Sequence, residues 1–163
     1  MTLIPIFQQE LENESATSRK MLERVPSHKL DWQPHPKSMT LGRLATHVAE
    51  IPAWIEMALY TDELDFEKNA YVPRTPQNTD EILDYFQEAL LRGRAALETN
   101  DGSLLEKEWL LRTGDQVLYR TTKAGMVRMA LNQITHHRAQ LGVYLRLLDI
   151  PIPGSYGPSA DEH

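Results

Sequence analysis

Gln133 and His137 stand four residues apart in the string NQITHHRAQ, which is flanked by apolar residues at helical spacing. A helix sets residues four apart one turn from each other on the same side, so both side chains converge on a common point, the spacing of a pair of metal ligands. His47, in LGRLATHVAEIPAW, lies on the flank of another apolar stripe, with Trp54 and Ala58 further along the same strip. His47 and His137 can therefore meet across a helix pair. Together with Gln133 they offer two imidazole nitrogens and one amide oxygen to a divalent ion. The chain contains no cysteine, which excludes a thiolate zinc site, a disulfide framework and a cysteine nucleophile, and fits a reducing compartment.

Helical phase separates the two adjacent histidines. At about 100° per residue, His137 falls roughly 50° from the centre of the apolar face and His136 roughly 150° from it. His137 faces a groove or the interior and His136 faces outward, unless a π-bulge distorts the helix. Glu50, three residues after His47, is close enough to orient it, to act as base or to ligate. Ideal geometry nevertheless points Glu50 further outward, toward Arg43 or solvent. Pro52 removes the hydrogen bond to the carbonyl of Val48 and invites a kink one turn beyond His47, which can open a pocket there. The plain alternatives are a proline that only bends its helix and histidines that are hydrogen-bonded at a core edge.

Four helices must position these groups. The first is expected from about Pro5 to Arg24, with Phe7, Leu11, Met21, Leu22 and Val25 inward and Pro26 as its stop. An extended connector, Pro26 to Ser38, packs Leu30 and Trp32 onto the bundle and leaves His28 and His35 at the surface. Thr40 reads as the N-cap of a second helix whose stripe runs from Leu41 to Leu59 over about five turns. Asn78 and Glu81 resemble a capping box opening a third helix that lasts until Asn100-Asp101-Gly102. The fourth begins near Ala124 and closes before Pro151. Before it, Trp109 to Arg120 forms either a short hairpin around Thr113-Gly114-Asp115-Gln116 or a loop. The fold class is all-α, a four-helix bundle with a long connection before the last helix, and residues 1–163 form one domain. The proline-rich and glycine-rich tail lies along the bundle surface. His163 reads either as native or as the first residue of a tag.

The strings NQITHHRAQLGVYLRLLDI and LGRLATHVAEIPAW, with the DWQPHPKS connector and the PGSYGPSADE ending, resemble the DinB family, the DinB/YfiT-like metalloenzymes. The resemblance covers nearly the whole chain. It implies a four-helix bundle, commonly a homodimer, with a divalent metal on three histidines. His47 matches the ligand of the second helix and His137 the last histidine of the fourth-helix pair. Gln133 stands where the family usually has its middle histidine, and Ala139 replaces the glycine of HRGQ. A glutamine oxygen is a weaker donor than imidazole to zinc or nickel, so the metal is either weakly held or absent.

Two functional classes follow. The first is a metal-assisted enzyme acting on a small molecule, either a transferase using a low-molecular-weight thiol or a hydrolase, with Arg138 and Trp54 as pocket groups by location. The second is a bundle with a degraded site that serves as a small-ligand binder or a dimeric scaffold. Nucleic acid is excluded as partner by a formal net charge of -6. The sequence has no Gly-x-Ser-x-Gly elbow and no glycine-rich phosphate loop, so triad acyl transfer and nucleotide binding lack their parts. With no export signal and no apolar run long enough to span a bilayer, a cytoplasmic location is expected.

Overall fold

The structure is a computed structural model that describes residues 3–162. His163, left open between native residue and tag, lies outside the described residues. Helix α1 (Ile4–Leu22) starts with Pro5 in its first turn, where the missing N–H costs nothing. It buries Ile4, Phe7, Leu11, Met21 and Leu22, and also Glu14, Ser15 and Ser18. The connector that follows is strapped to the next helix: Leu41 N–H donates to the Trp32 carbonyl at 2.7 Å and Gly42 N–H to the Leu30 carbonyl at 2.8 Å. Leu30 and Trp32 pack on the core, and His28 and His35 are exposed, as expected.

Thr40 Oγ1 accepts from Arg43 N–H at 3.2 Å and caps α2 (Leu41–Glu50). The single kinked helix expected to Leu59 is instead two helices. A 3-10 turn, Ile51–Ala53, separates α2 from α3 (Trp54–Tyr60). Pro52 supplies no N–H to continue the ladder, and the tighter turn absorbs the gap. Helix α4 (Thr79–Glu98) meets this break through Gly93, where an added Cβ would lie 2.5 Å from the Pro52 carbonyl oxygen. Its N-cap is Asn78, whose side chain accepts from Glu81 N–H at 2.9 Å, while Glu81 Oε2 accepts from Gln77 N–H at 2.8 Å. The reciprocal limb of the capping box thus reaches one residue further out than the pattern implies.

The expected hairpin is present as β2 (Glu108–Thr113) and β3 (Gln116–Thr122), turning at Gly114 with φ of 54°. The sequence reading missed a third strand. β1 (Glu63–Asp65) pairs in parallel with β2, with Glu63 opposite Leu110, so the sheet runs β1-β2-β3. Helix α5 (Lys123–Leu147) starts at a Thr122 cap, Oγ1 accepting from Gly125 N–H at 3.1 Å. Lys123 is buried and its Nζ donates to the carbonyls of Leu59 at 3.0 Å and Thr61 at 2.7 Å, joining the end of α3 to the start of α5. The four helical arms, α1, α2 with α3, α4 and α5, pack around one apolar cluster as a bundle, and the tail lies on it, its Asp161 pairing with Arg146.

Candidate metal centre

α2 and α5 pack side by side, and the phases read from their sequences bring His47 and His137 together, with ring centroids 4.4 Å apart. His136 is exposed on an uninterrupted α5, as expected, and touches only the edge of the cluster, 4.7 Å from the His137 ring. Each of the two converging imidazoles commits the same nitrogen. His47 Nδ1 is 2.5 Å from Glu50 Oε1, and His137 Nδ1 is 2.8 Å from Gln140 Oε1. Both oxygens only accept, so each Nδ1 carries a proton, and in the neutral form of each ring Nε2 keeps the lone pair. Neither Nε2 has a hydrogen-bond partner among the described residues. Burial, together with the neighbouring His47, His136 and Arg43 charges, holds the His137 pKa below the ordinary histidine value despite the Gln140 hydrogen bond. At neutral pH its ring is therefore uncharged.

Glu50 corrects an expectation. It pairs with Arg43 as expected but is 5% exposed rather than open to solvent, because the segment after β1 folds over the outer flank of α2. Tyr71, in that segment, donates its hydroxyl to Glu50 Oε2 at 2.7 Å, and Arg43 Nη2 donates to the same Tyr71 oxygen at 2.9 Å. Arg43 stands 3.8 Å from Glu50 Oε1. Burial and the Glu50 carboxylate together push the Tyr71 pKa above the ordinary tyrosine value, so its hydroxyl stays a donor.

His47, Glu50 and Gln133 open onto a cavity of about 460 Å³ between the bundle and the sheet. Its walls come from α2, α3 and α5 on one side and from β1, β2, β3 and the segment after β1 on the other. Trp54 lines it with its ring 5.5 Å from His47, and Trp109 lines it while donating Nε1–H to Thr61 Oγ1 at 3.1 Å. The segment after β1 is pinned by Asp65, which is 1% exposed and whose Oδ1 accepts from the N–H groups of Gly114 and Glu67, both at 3.0 Å.

With this geometry in place, comparison with known proteins decides the lineage: the sequence matches the model of the DinB family over residues 5–163. The chain belongs to the DinB family. It is 25% identical, over 96% of its length and 89% of the relative's, to a Bacillus subtilis (strain 168) protein called uncharacterized protein YrdA. Its fold is similar to the crystal structure of a DinB-like protein, YjoA, from Bacillus subtilis, with a TM-score of 0.70 at 14% identity, covering 91% of this chain and 96% of the other. A DinB-like protein from Bacillus cereus ATCC 10987 gives a TM-score of 0.70 at 22% identity, covering 92% and 95%.

Some DinB members bind metal, and the donor set here can be tested against that chemistry. Among the described residues no group of three or more His, Cys, Asp or Glu side chains gathers as a metal site. The fit rests on two free Nε2 atoms and the Gln133 amide, a set with two good nitrogen donors and one weak oxygen donor. A divalent cation held by such a set would keep open coordination positions.

Arg138, expected as a pocket group, is on the other side of α5. One residue past His137 turns the side chain by about 100°, toward α1. There it is 1% exposed and its Nη1 lies 2.5 Å from Glu14 Oε2. Tyr71 and Phe66 were missed by reading the sequence for helices. The alternation of Leu64 and Phe66 with Glu63, Asp65 and Glu67 was the available sign of a strand at this wall.

Proposed function

We propose that this DinB-family chain is a divalent-metal-dependent enzyme acting on a small molecule, with His47, His137 and Gln133 as protein ligands of one ion. Zinc or nickel is favoured by the imidazole donors, and thiol transfer or hydrolysis is the reaction class. The observation that carries the reading is that both rings spend Nδ1 on an anchoring oxygen and leave Nε2 free, the arrangement in which metal-bound histidines are held. When bound, the ion would supply Lewis acidity that lowers the pKa of a thiol or water beside it.

The rest of the work falls to the chain. Glu50 fixes the His47 ring, Tyr71 in turn fixes Glu50, and Gln140 does for His137 what Glu50 does for His47. Burial keeps the His137 ring neutral, so its lone pair is available at pH 7. Because the chain has no cysteine, the nucleophile of either reaction comes from solution. The cavity holds the substrate body next to these groups.

Gln133 favours a second reading, a bundle that binds a small ligand or serves as a dimeric scaffold without metal. Elemental analysis separates the two, using untagged protein purified without chelator, wild type beside His47→Ala. Near-stoichiometric zinc or nickel that disappears in the variant is the expected result. No metal, even after soaking with either ion, would overturn the enzyme reading and leave the second.

A further inference from the structure

The cavity wall is chemically selective. Trp54, Trp109 and Phe66 supply aromatic surface, and Met57, Met126 and Met129 supply flexible, polarizable sulfur. Such walls favour flat apolar bodies, with aromatic rings meeting edge to face and thioethers filling the irregular gaps. Among the described residues no lysine or arginine lines the cavity. The one carboxylate among the described residues that does, Glu50, is already engaged by His47, Tyr71 and Arg43. An anionic group on the ligand body would therefore be buried without a free counter-charge, a costly placement. Polar protein groups at the helical end are His47 and the Gln133 amide, and the volume of about 460 Å³ is in the range that takes a small organic ligand.

We infer that the cavity binds a small molecule with an uncharged, flat, apolar body and one electron-rich group directed at the His47 and Gln133 end, and that it rejects anionic bodies. The role of the electron-rich group rests on the metal-dependent reading above, whereas the choice of body rests on the cavity wall alone. A peptide-like thiol bearing carboxylates is thus not the molecule that fills this cavity. In a thiol transfer, the cavity takes the apolar acceptor.

Two probes with the same ring framework test this on the full chain after chelator treatment and dialysis. N-phenyl-1-naphthylamine is neutral, and 8-anilinonaphthalene-1-sulfonate adds a fixed negative charge. Two of the three tryptophans line the cavity, while Trp32 packs on Tyr144 with ring centroids 5.7 Å apart, so energy transfer from tryptophan reports on the cavity. The neutral probe is expected to saturate at one per chain and to bind at least about tenfold more tightly than the sulfonate. Ala70→Trp, in the exposed segment over the cavity, is expected to weaken the neutral probe by about tenfold or more with thermal midpoint unchanged. If that variant does not fold, Met129→Trp fills the same space from α5.

Equal or tighter binding of the sulfonate, or neutral-probe binding indifferent to the filling variant that folds, would overturn the inference. Metal content measured on protein purified in parallel without chelator keeps the two readings apart. Selective probe binding without metal defeats the enzyme reading but not this one. Metal without selectivity defeats this one but not the enzyme reading.

Discussion

His137 and Arg138 are consecutive residues of α5, yet they enter two polar clusters with opposite characters. On the α1 side, Arg138 Nη1 donates to Glu14 Oε2 and to the Glu14 carbonyl, and Tyr156 donates to Glu14 Oε1 at 2.8 Å. Thr135 adds a hydrogen bond to Glu14 Oε2 at 3.1 Å. Charge is paired and the cluster is closed by the tail. On the α2 side, the anchoring nitrogens of His47 and His137 are satisfied, neither Nε2 has a partner among the described residues, and His47 opens onto a cavity. Burial of polar groups alone does not mark a functional site. What distinguishes one is a set of rigidly held groups with donor atoms left over and room for a ligand next to them.

The largest expected effect breaks the closed cluster. Arg138→Met leaves Glu14 buried without its cation and should cost about 3–5 kcal/mol in urea unfolding, with metal content unchanged. Loss of metal with little change in stability would put Arg138 in the site after all. On the open side, Gly93→Ala drives a Cβ into the Pro52 carbonyl and should cost about 1–3 kcal/mol, the range for overpacking, together with weaker metal binding because α2 shifts with the break. A stable variant with unchanged metal affinity would show that the break does not position His47.

The open cluster itself is sharpened by Gln133→His, which replaces the weak donor and should tighten zinc at least about tenfold in a competitive chelator titration. His137→Ala should lower zinc affinity whereas His136→Ala should not. Equal effects would contradict the helix phase. The smallest effect concerns the latch under the cavity wall. Asp65 is held below the ordinary carboxylate range first by the Gly114 N–H, then by the Glu67 N–H and Lys68, against the opposing effect of burial. A depressed folded pKa gives stability that is present above the unfolded value of about 3.9 and lost as pH falls through the folded one. Asp65→Asn should therefore melt below wild type at neutral pH, with the gap closing in acid. A gap independent of pH would mean that the carboxylate charge does not matter.

The legible and illegible parts of this molecule divide along the range of the interactions concerned. Helix phase, the Thr40 and Asn78 caps and the pairing of His47 with His137 follow from neighbours a few residues apart, and all were readable. The hairpin was readable from its turn residues. Glu50 was misread because its burial depends on Tyr71, which no local rule connects to α2. β1 was missed because its alternation is short, running only from Glu63 to Glu67, and its partner β2 lies beyond α4. The break at Pro52 was read as a kink, since a proline marks the lost hydrogen bond without saying how much of the turn tightens around it. The direction of Arg138 was contained in the same phase that placed His137 but was not drawn from it.

The parallel pairing of β1 with β2 also fixes an order of events in folding. The two strands flank α4 in the chain, so their hydrogen bonds can form only after the intervening segment has been brought back on itself. Closing so long a loop costs entropy that local helical contacts do not. The individual helices, built from local contacts, are accordingly expected to form before the β1–β2 pairing that completes the sheet side of the cavity.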